Sequence, residues 1–302
     1  MQPQFNGMNI GTIREAHLAA SSFLKESGSK DPQFEAELLL RHLLNMDRTA
    51  FLVSMPDPIE AEVVEKLADL CQRRANSEPI QYMLGVQEFY GREFMVAPGV
   101  LIPRPETEIL IEQLLRHAKR LWPDETQVLE VVDIGTGSGA IPITLSSERP
   151  GWRVSTVDIS LEAIEIARQN AKSLGVENQV RFLHGDLVEP LLHEKAQLDI
   201  LVSNPPYIPT ADVEELDEEV RQFEPRLALD GGEDGLDFYR RICTALPQMM
   251  KPTSLVGFEV GIHQAQDVAS LLQTIGQMEH VEIIPDLAGI DRVVIGYKVK
   301  SQ

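Results

Sequence analysis

The feature that most constrains the fold is an alternation, from about Thr126 onward, between short apolar runs and segments with helical spacing. The runs predict strands at Val128–Val132, Trp152–Val157, Val180–Leu183, Leu198–Val202, Ser254–Val260, Val281–Pro285 and Arg292–Tyr297. Helices are predicted at Ala140–Ser147, Leu161–Leu174 and Phe238–Met250. Alternating strands and helices need right-handed crossovers, so the pattern predicts a mostly parallel, doubly wound α/β sheet. Only a short loop, Asp286–Asp291, joins the last two strands, which predicts one antiparallel edge strand.

The first part of the chain has a different pattern, with apolar residues at three- and four-residue spacing. It predicts helices over Ile13–Phe23, Phe34–Leu44 and Ile59–Cys71, with Asp31 as an N-cap and Pro32 at the first helical position. No glycine-rich loop or acid/base cluster occurs there. The helices are therefore interpreted as a module that docks a partner, with purely structural support as the alternative.

A connector follows the helices. Phe89–Leu101 mixes aromatic and β-branched residues around Gly91, and Pro98-Gly99 marks a turn, so this stretch predicts a β-hairpin. The predicted organisation is a helical recognition domain over residues 1–86, a hairpin connector over 87–101 and an α/β domain over 102–302.

Composition narrows the class of partner. The chain has 302 residues and a formal net charge of −20, from 47 acidic and 27 basic residues. Binding of phosphate backbones draws on Lys and Arg, so direct binding of nucleic acid is disfavoured. The two cysteines stand outside any C-x-x-C pair and the histidines are scattered, so no metal site or disulfide is predicted. The absence of an apolar run of roughly 20 residues and the polar start, Met1–Asn9, predict a cytoplasmic protein without membrane attachment.

A glycine-rich loop, Gly135–Gly139, follows the first strand of the α/β part and opens a helix. Glycine permits a tight turn and a close approach of the backbone to a ligand, at the strand end where open α/β sheets bind ligands. The spacing is G-x-G-x-G, and Asp133 stands at the strand end. An acid there repels a pyrophosphate and suits a cationic amino group. A simple strand-to-helix turn is the alternative.

Two further acids stand at the ends of the next strands. Asp158 ends the second strand, about 20 residues after the glycine loop, and a carboxylate at that position can accept both ribose hydroxyls. Asp186 follows the third strand and can accept the exocyclic amine of adenine, with Leu187 packed on the ring, although a turn or helix cap would also explain Asp186. Amine, ribose and base together describe S-adenosylmethionine, which carries no phosphate. The predicted cofactor residues are Asp133, Gly135, Thr136, Gly137, Ser138, Gly139, Asp158, Asp186, Leu187 and Asn204.

The fourth strand runs into Asn204-Pro205-Pro206-Tyr207, where two prolines end the strand and fix the backbone. An amide or exocyclic amine nitrogen is a poor nucleophile because its lone pair is delocalised. The Asn204 side-chain oxygen and the Pro205 carbonyl can each accept one of its N–H groups, and those bonds strengthen as the nitrogen becomes cationic. Tyr207 can pack on the planar group. Asn204, Pro205 and Tyr207 are therefore predicted to be catalytic, and all four residues to hold the substrate.

At these residues the sequence resembles a known family. The glycine loop together with Asn204–Tyr207 is similar to class I methyltransferases that act on planar amino or amide nitrogens. Further stretches resemble the HemK/PrmC family, whose members methylate the glutamine of the Gly-Gly-Gln motif in peptide chain release factors. Those stretches are Glu78–Gly85, Leu101–Glu108, Glu224–Gly232, Asp234–Leu236 and Asp286–Val293. The resemblance covers the chain from about residue 75 onward.

The resemblance implies a Rossmann-like, seven-stranded methyltransferase domain, a helical domain that contacts the release factor, and a hairpin between them. It implies that Gly135–Gly139, Asp158, Leu187 and Asn204 bind S-adenosylmethionine and that Asn204–Tyr207 hold the substrate glutamine. Relatives often carry a bulkier aromatic residue at position 187. The expected protein is a monomer that uses no metal. The alternatives are methylation of a ribosomal protein glutamine, disfavoured by Pro103–Glu106, methylation of adenine in a nucleic acid, and a non-catalytic adenosyl-binding module.

Overall fold

The computed structural model describes residues 10–300. Its helices and strands, in chain order, are α1 (Ile13–Glu26), α2 (Pro32–Leu44), α3 (Arg48–Val53), α4 (Ala61–Ala75), α5 (Ile80–Leu84), β1 (Val86–Phe89), β2 (Arg92–Met95), α6 (Pro105–Leu121), β3 (Glu130–Ile134), α7 (Ala140–Glu148), β4 (Arg153–Asp158), α8 (Leu161–Ser173), β5 (Val180–His184), α9 (Glu189–His193), β6 (Leu198–Ser203), α10 (Glu218–Phe223), α11 (Asp237–Met249), β7 (Met250–Glu259), α12 (Ala265–Thr274), β8 (His280–Pro285) and β9 (Asp291–Lys298). Contacts divide the chain into two compact units. The first runs to Gly85 and also takes Glu218–Phe223; the second comprises Val86–Asp217 and the chain from Glu224 onward.

The second unit is built on one seven-stranded sheet. Its strand order is β5-β4-β3-β6-β7-β9-β8, and β5, β4, β3, β6 and β7 pair in parallel. This order reverses direction after β3, because β4 and β5 lie on one side of it and β6 and β7 on the other. The predicted doubly wound, seven-stranded α/β architecture is confirmed.

The position predicted for the antiparallel strand is wrong. The antiparallel strand is β9, which pairs with both β7 and β8 and therefore lies one strand inside the edge. The edge strand β8 runs parallel to the main set, because α12 carries the chain across from β7 to β8 as a crossover. The short loop after β8 then forces a hairpin, and β9 returns into the gap between β8 and β7.

Helices cover both faces of the sheet, and four of the six residues of its central strand, β6, are apolar. All six residues of β6 are buried, as expected for a parallel strand with helices on both sides. Val131 and Ile200 belong to one core cluster, which also holds apolar residues of α6. Val132 and Leu201 belong to the other, which holds apolar residues of α11 and α12.

Helices α6 and α12 are missing from the predicted elements. Helix α6 begins at Pro105, a favourable first position, and buries Leu110, Ile111 and Leu114 at helical spacing. The sequence pattern of α6 was therefore sufficient to predict this helix. Helix α12 is a ten-residue amphipathic helix that buries Val268 and Leu272.

The connector forms the predicted hairpin, with different limits. Strands β1 and β2 pair from Val86↔Met95 to Phe89↔Arg92, and the turn falls at Tyr90-Gly91, both with positive φ. Residues 97–104 continue without regular structure. Phe89 and Phe94 are fully buried and stack edge to face at 5.9 Å, which fixes the hairpin in the core of the second unit.

The first unit is a helical bundle, as predicted. A capping box between Thr12 and Glu15 starts α1. Asp31 occupies the N-cap of α2 with Pro32 next to it, but the Asp31 side chain makes no capping hydrogen bond. The bundle core includes the fully buried Leu39, Phe51 and Leu67.

A short helix from much later in the chain completes this first unit. Helix α10 belongs to it by contact. Arg74 pairs with Glu219 at 2.8 Å, and the Ser77 hydroxyl donates to Glu218 at 3.0 Å. The chain therefore enters the first unit twice, once from the start and once between Asp217 and Glu224.

Candidate active site

A pocket of about 420 Å³ opens at the carboxyl ends of β3, β4, β5 and β6. Its lining includes the glycine loop, the ends of β4 and β5, and Asn204 at the end of β6. It lies where the strand order reverses, which is the usual ligand position in doubly wound sheets. Every residue that lines it belongs to the second unit.

The glycine loop turns the chain from β3 into α7 by positive φ angles at Gly135, Gly137 and Gly139 of 90°, 52° and 86°. A Cβ at Gly137 would meet nothing within 4 Å, so the bare backbone borders open space in the pocket wall. A Cβ at Gly139 would come within 2.6 Å of Ile143 Cδ1 and 3.0 Å of Ala167 Cβ. Gly137 is therefore suited to ligand contact, whereas Gly139 is required for packing.

The loop is tied to the hairpin by one buried side chain. Asn170 Nδ2 donates to the carbonyl of Ser138 at 2.8 Å and to that of Met95 at 2.9 Å. Its Oδ1 accepts from the Met95 backbone N–H at 2.7 Å. Asn170 therefore holds β2 and the glycine loop in a fixed relation beside the pocket.

Asp158 lines the pocket at the end of β4. Its Oδ2 accepts from the Gly137 N–H at 3.0 Å, and its Oδ1 accepts from the Ser160 N–H at 2.8 Å. Burial raises the pKa of Asp158, and the backbone N–H bonds partly offset that rise. Each oxygen keeps a lone pair for a further donor, so the carboxylate can still accept ribose hydroxyls.

Asp133 lies beneath the pocket wall and is absent from the pocket-lining residues. It is fully buried. Its Oδ2 accepts from the Thr156 hydroxyl at 2.7 Å, and Thr156 is bonded to Thr136 at 2.6 Å. The other oxygen, Oδ1, is buried without a hydrogen-bond partner in the described chain. Burial, with the nearby Asp158, raises the pKa of Asp133 well above its usual range. The assignment of Asp133 to a ligand amine stays a prediction.

Asp186 and Leu187 line the pocket beside β5. Asp186 forms an ion pair of 2.5 Å with Arg241 of α11, another lining residue. Leu187 has φ +49°, a left-handed conformation that a leucine rarely adopts. Such strain persists where the surroundings hold it in place, and here it keeps an apolar side chain on the pocket wall. Phe238 supplies a further apolar surface of the same pocket.

Asn204 is anchored by a chain of buried polar groups. Its Nδ2 donates to Thr107 Oγ1 at 3.2 Å, and the Thr107 hydroxyl donates to Glu259 Oε2 at 2.5 Å. Glu259 is fully buried at the end of β7, and burial raises its pKa to about 7. Asn204 Oδ1 has no hydrogen-bond partner within residues 10–300, and Asn204 lines the pocket. The amide therefore keeps one free acceptor at the pocket.

The rest of the Asn-Pro-Pro-Tyr segment is divided between the pocket and the core. Pro206 lines the pocket, whereas Pro205 and Tyr207 do not. The Tyr207 hydroxyl reaches Glu259 Oε1 at 3.4 Å, and its carbonyl accepts from Gln264 at 2.8 Å. Burial raises the pKa of Tyr207. Packing of Tyr207 on a substrate amide stays a prediction.

A glycine segment, Leu229–Gly232, follows α10 and contacts the Asn204–Tyr207 loop. The Ile208 N–H, just after the loop, donates to the Leu229 carbonyl at 3.0 Å, and the Ile208 carbonyl accepts from the Gly231 N–H at 2.8 Å. A Cβ at Gly231 would lie 2.8 Å from both the Pro206 carbonyl oxygen and the Tyr207 Cα. Only glycine fits there while the loop keeps its path.

Several residues of this site were not predicted from sequence. They are Phe89, Arg104, Thr107, Phe238, Arg241 and Glu259. Thr107 lies within Leu101–Glu108, a stretch that carried only the family resemblance. Arg104 pairs with the buried Glu224. Glu259 follows a buried strand end without any local motif, so only the fold reveals it.

Over residues 10–300, no group of three or more His, Cys, Asp or Glu side chains has the geometry to hold a metal ion. In the same range, no helix has the length and apolar character needed to cross a membrane.

The fold and the pocket define a class I S-adenosylmethionine-dependent methyltransferase. A crystal structure of a methyltransferase from Pyrococcus furiosus matches the fold with a TM-score of 0.50 at 17% identity, over 70% of this chain and 91% of that one. Two family models match: the PrmC N-terminal domain over residues 15–85 and the methyltransferase small domain over residues 105–223.

Relatives then identify the particular family. A release factor glutamine methyltransferase of Bacillus anthracis is 47% identical over 93% of this chain and 98% of its own length. That of Geobacter sulfurreducens is 42% identical over 95% and 97%, respectively. The chain belongs to the release factor glutamine methyltransferase family.

Proposed function

We propose that the pocket of the second unit binds S-adenosylmethionine and that the chain transfers its methyl group to the side-chain amide nitrogen of the Gly-Gly-Gln glutamine in peptide chain release factors. The observation that carries the proposal is the anchored Asn204, whose Nδ2 is held by Thr107 and whose Oδ1 remains available beside the pocket. The names of the relatives supply the substrate class.

The residues present fit this cofactor. Gly137 leaves bare backbone against the pocket, and Asp158 keeps acceptor capacity for two vicinal hydroxyls. Leu187 and Phe238 supply apolar walls for a base. The two arginines of the lining, Arg104 and Arg241, are each paired with an acid, so the pocket suits a ligand without phosphate.

When bound, the cofactor supplies a methyl group on a positively charged sulfur. The task of the protein is to present the lone pair of a planar amide nitrogen to that carbon. Asn204 Oδ1 and the Pro205 carbonyl accept the two N–H groups of the substrate amide, which turns the nitrogen lone pair toward the methyl group. Both acceptors interact more strongly as the nitrogen gains positive charge, so they stabilise the transition state more than the bound substrate. Thr107 holds the Asn204 side chain, and Asn170 holds the glycine loop beside the pocket.

The helical first unit is proposed to dock the release factor. The chemistry is proposed to occur in the cytoplasm, where release factors act, with the protein as a monomer. The charge of −20 argues against a nucleic acid as the direct substrate.

The test is transfer of a labelled methyl group to a purified release factor. We expect the label on the glutamine of its Gly-Gly-Gln motif, located by mass spectrometry, and none on a release factor in which that glutamine is replaced by alanine. Bare RNA and DNA serve as parallel substrates. Label on either nucleic acid at the rate of the protein, or none on the glutamine, would contradict the proposal.

Asn204→Ala tests the proposed role of the amide. Because it removes one acceptor of the transition state, we expect kcat to fall by about 100- to 1000-fold. Calorimetric affinity for the cofactor should change far less than kcat. A variant with unchanged turnover would refute the role of Asn204.

A further inference from the structure

Glu259 is an unusual group for the interior of this protein. Its carboxyl is fully buried, and no Lys, Arg or His side chain within residues 10–300 forms an ion pair with it. Buried carboxyls are rare unless they are paired, because the charged form loses its hydration. Glu259 has two hydroxyl donors instead: Thr107 at 2.5 Å and Tyr207 at 3.4 Å. Thr107 lies on α6 beside Asn204, and Tyr207 belongs to the Asn204–Tyr207 loop.

The arrangement of protons along this chain of groups sets which way the Asn204 amide points. A threonine hydroxyl has one proton to donate and can accept from other donors. When Glu259 is ionised it can only accept, so Thr107 gives its proton to Glu259. Thr107 Oγ1 is then an acceptor toward Asn204, and it selects the NH2 end of the amide. The Oδ1 end is left for the substrate.

Protonation of Glu259 removes this selection. A carboxylic acid can donate to Thr107 Oγ1, and the Thr107 proton is then free to point at Asn204. A donor at that position favours the Asn204 oxygen, so the amide would turn its NH2 end toward the pocket. An NH2 group there cannot accept an N–H of the substrate.

From this geometry we infer that Thr107 and Glu259 form a positioning pair that orients the Asn204 amide, and that the enzyme works in the form with Glu259 ionised. The inference rests on the proposed acceptor role of Asn204. Neither Thr107 nor Glu259 acts on the reacting atoms in this scheme. Each acts through Asn204, Thr107 directly and Glu259 through Thr107.

The charges around Glu259 allow this switch to operate near neutral pH. Burial raises the pKa of Glu259 to about 7, and the negative charge of Glu106 on α6 acts in the same direction. The bond from Thr107, the charge of Arg292 on β9 and the bond from Tyr207 act against the rise. Tyr239 of α11 donates its hydroxyl to the Glu259 backbone carbonyl at 2.7 Å and leaves the carboxyl to the other two donors.

The first experiment compares Thr107→Val with Thr107→Ser. Valine fills the same space without a hydroxyl, so the Asn204 amide loses its anchor, and we expect kcat to fall by about 10- to 100-fold. Serine restores the hydroxyl and should return most of the activity. Cofactor affinity, measured by calorimetry, should change far less than kcat in both variants.

Thr144→Val is the matched control. Thr144 is another fully buried threonine, and its hydroxyl has no hydrogen-bond partner in the described chain. This variant measures the general effect of the same substitution in the core, and its kcat should stay close to that of the unmodified enzyme. Equal kcat in Thr107→Val and the unmodified enzyme would overturn the inference.

The second experiment is the pH dependence of kcat between about pH 5.5 and 9. We expect activity to fall on the acidic side as Glu259 takes up a proton, with an inflection that is absent in Glu259→Gln. Glutamine carries no titratable proton yet can still accept from Thr107 through its oxygen. Persistence of the same acidic inflection in Glu259→Gln would overturn the inference, even if Thr107→Val does not fold.

The two proposals fail in different ways. If the unmodified enzyme places no label on the release factor glutamine, the proposed function fails. If it labels that glutamine and Thr107→Val does so at the same rate, only the positioning pair fails.

Discussion

Asp158 balances the cost of burying a carboxylate against hydrogen bonds from the backbone. Burial raises its pKa, and the N–H groups of Gly137 and Ser160 stabilise the charged form. The charged form is also the stronger acceptor for ribose hydroxyls, since hydrogen bonds to an ionised group are about twice as strong as neutral ones. Cofactor affinity and the charge of Asp158 are therefore linked.

We expect Asp158→Asn to weaken cofactor binding by about 10-fold, the order of one charge-assisted hydrogen bond. The affinity of the unmodified protein should also fall as the pH drops toward the raised pKa, because protonation removes the charge. Asp158→Asn should lack that pH dependence. Isothermal titration calorimetry across pH measures both effects.

Asp124→Asn is the control for this series, because Asp124 is exposed and its carboxylate, within residues 10–300, bonds only to Thr126. Its cofactor affinity should match that of the unmodified protein at every pH. An Asp158→Asn variant that retained full affinity, or retained the pH dependence, would contradict the proposed contact with ribose.

Asp133 makes the stability of the folded state depend on pH. Its folded-state pKa is raised by burial, so the folded chain holds a proton that the unfolded chain releases above about pH 4. The stability of the folded state therefore falls as the pH rises from that value toward the folded pKa. Asn has no proton to lose. We therefore expect Asp133→Asn to raise the free energy of unfolding at pH 8 by roughly 1 to 3 kcal/mol, and with it the thermal midpoint.

The difference between Asp133→Asn and the unmodified protein should shrink at pH 5. Differential scanning fluorimetry at both pH values tests this sign. A larger gain at pH 5 than at pH 8 would contradict it. Cofactor affinity measured on the same samples shows whether Asp133 also meets the ligand amine.

From the sequence, Asp133, Asp158 and Asp186 were each predicted to contact the ligand from a strand end, at its amine, ribose and base respectively. Asp133 lies under the pocket wall with Thr156, whereas Asp186 is paired with Arg241. The neighbours that cause this difference come from other elements, and strand-end position does not encode them. Thr107 and Glu259 were not predicted for the same reason, because their link spans 152 positions of the chain.

At the scale of elements, the Asn-Pro-Pro-Tyr loop depends on the glycine segment behind it. A methyl group at Gly231 would lie 2.8 Å from the Pro206 carbonyl oxygen, and that contact is with backbone. Backbone cannot move aside as a flexible side chain can, so the loop itself must shift.

We expect Gly231→Ala to lower kcat by about 10- to 100-fold through displacement of Asn204, with a smaller effect on cofactor affinity. Gly151→Ala is the matched control, because a Cβ at Gly151 would meet nothing within 4 Å. Single-turnover methyl transfer measures the effect on chemistry. Equal rates in the two variants would exclude a role for the glycine segment in placing the loop.

The order of the strands in the sheet could be predicted only in part from the sequence. Apolar runs identified every strand of the parallel core, since both faces of the sheet are buried and most residues of a strand such as β6 are apolar. The placement of β9 between β7 and β8 could not be predicted from the sequence. A short loop indicates that two strands pair, but it does not indicate which of them lies at the edge. Helix α6 had a readable apolar face.

At the scale of the whole molecule, the pocket belongs to one of the two units. All residues that line the pocket come from the second unit. The first unit holds its own apolar core, and it also takes α10 from the later part of the chain. The sequence placed a boundary at residue 86, but nothing local in Glu218–Phe223 indicated that this helix contacts Arg74 and Ser77. Such long-range contacts are set by the fold.

Because the pocket lies within one unit, cofactor should stabilise that unit first. Cofactor at 100 times its dissociation constant adds about 2.7 kcal/mol to the stability of the species that binds it. We expect hydrogen exchange to slow at the amides of β3, β4 and β6, while those of α1, α2 and α4 keep their rates. Asp158→Asn at the same cofactor concentration should give a smaller effect. Equal slowing in α1 and β3 would contradict this prediction, because it would mean that the two units unfold cooperatively and that cofactor binding stabilises both.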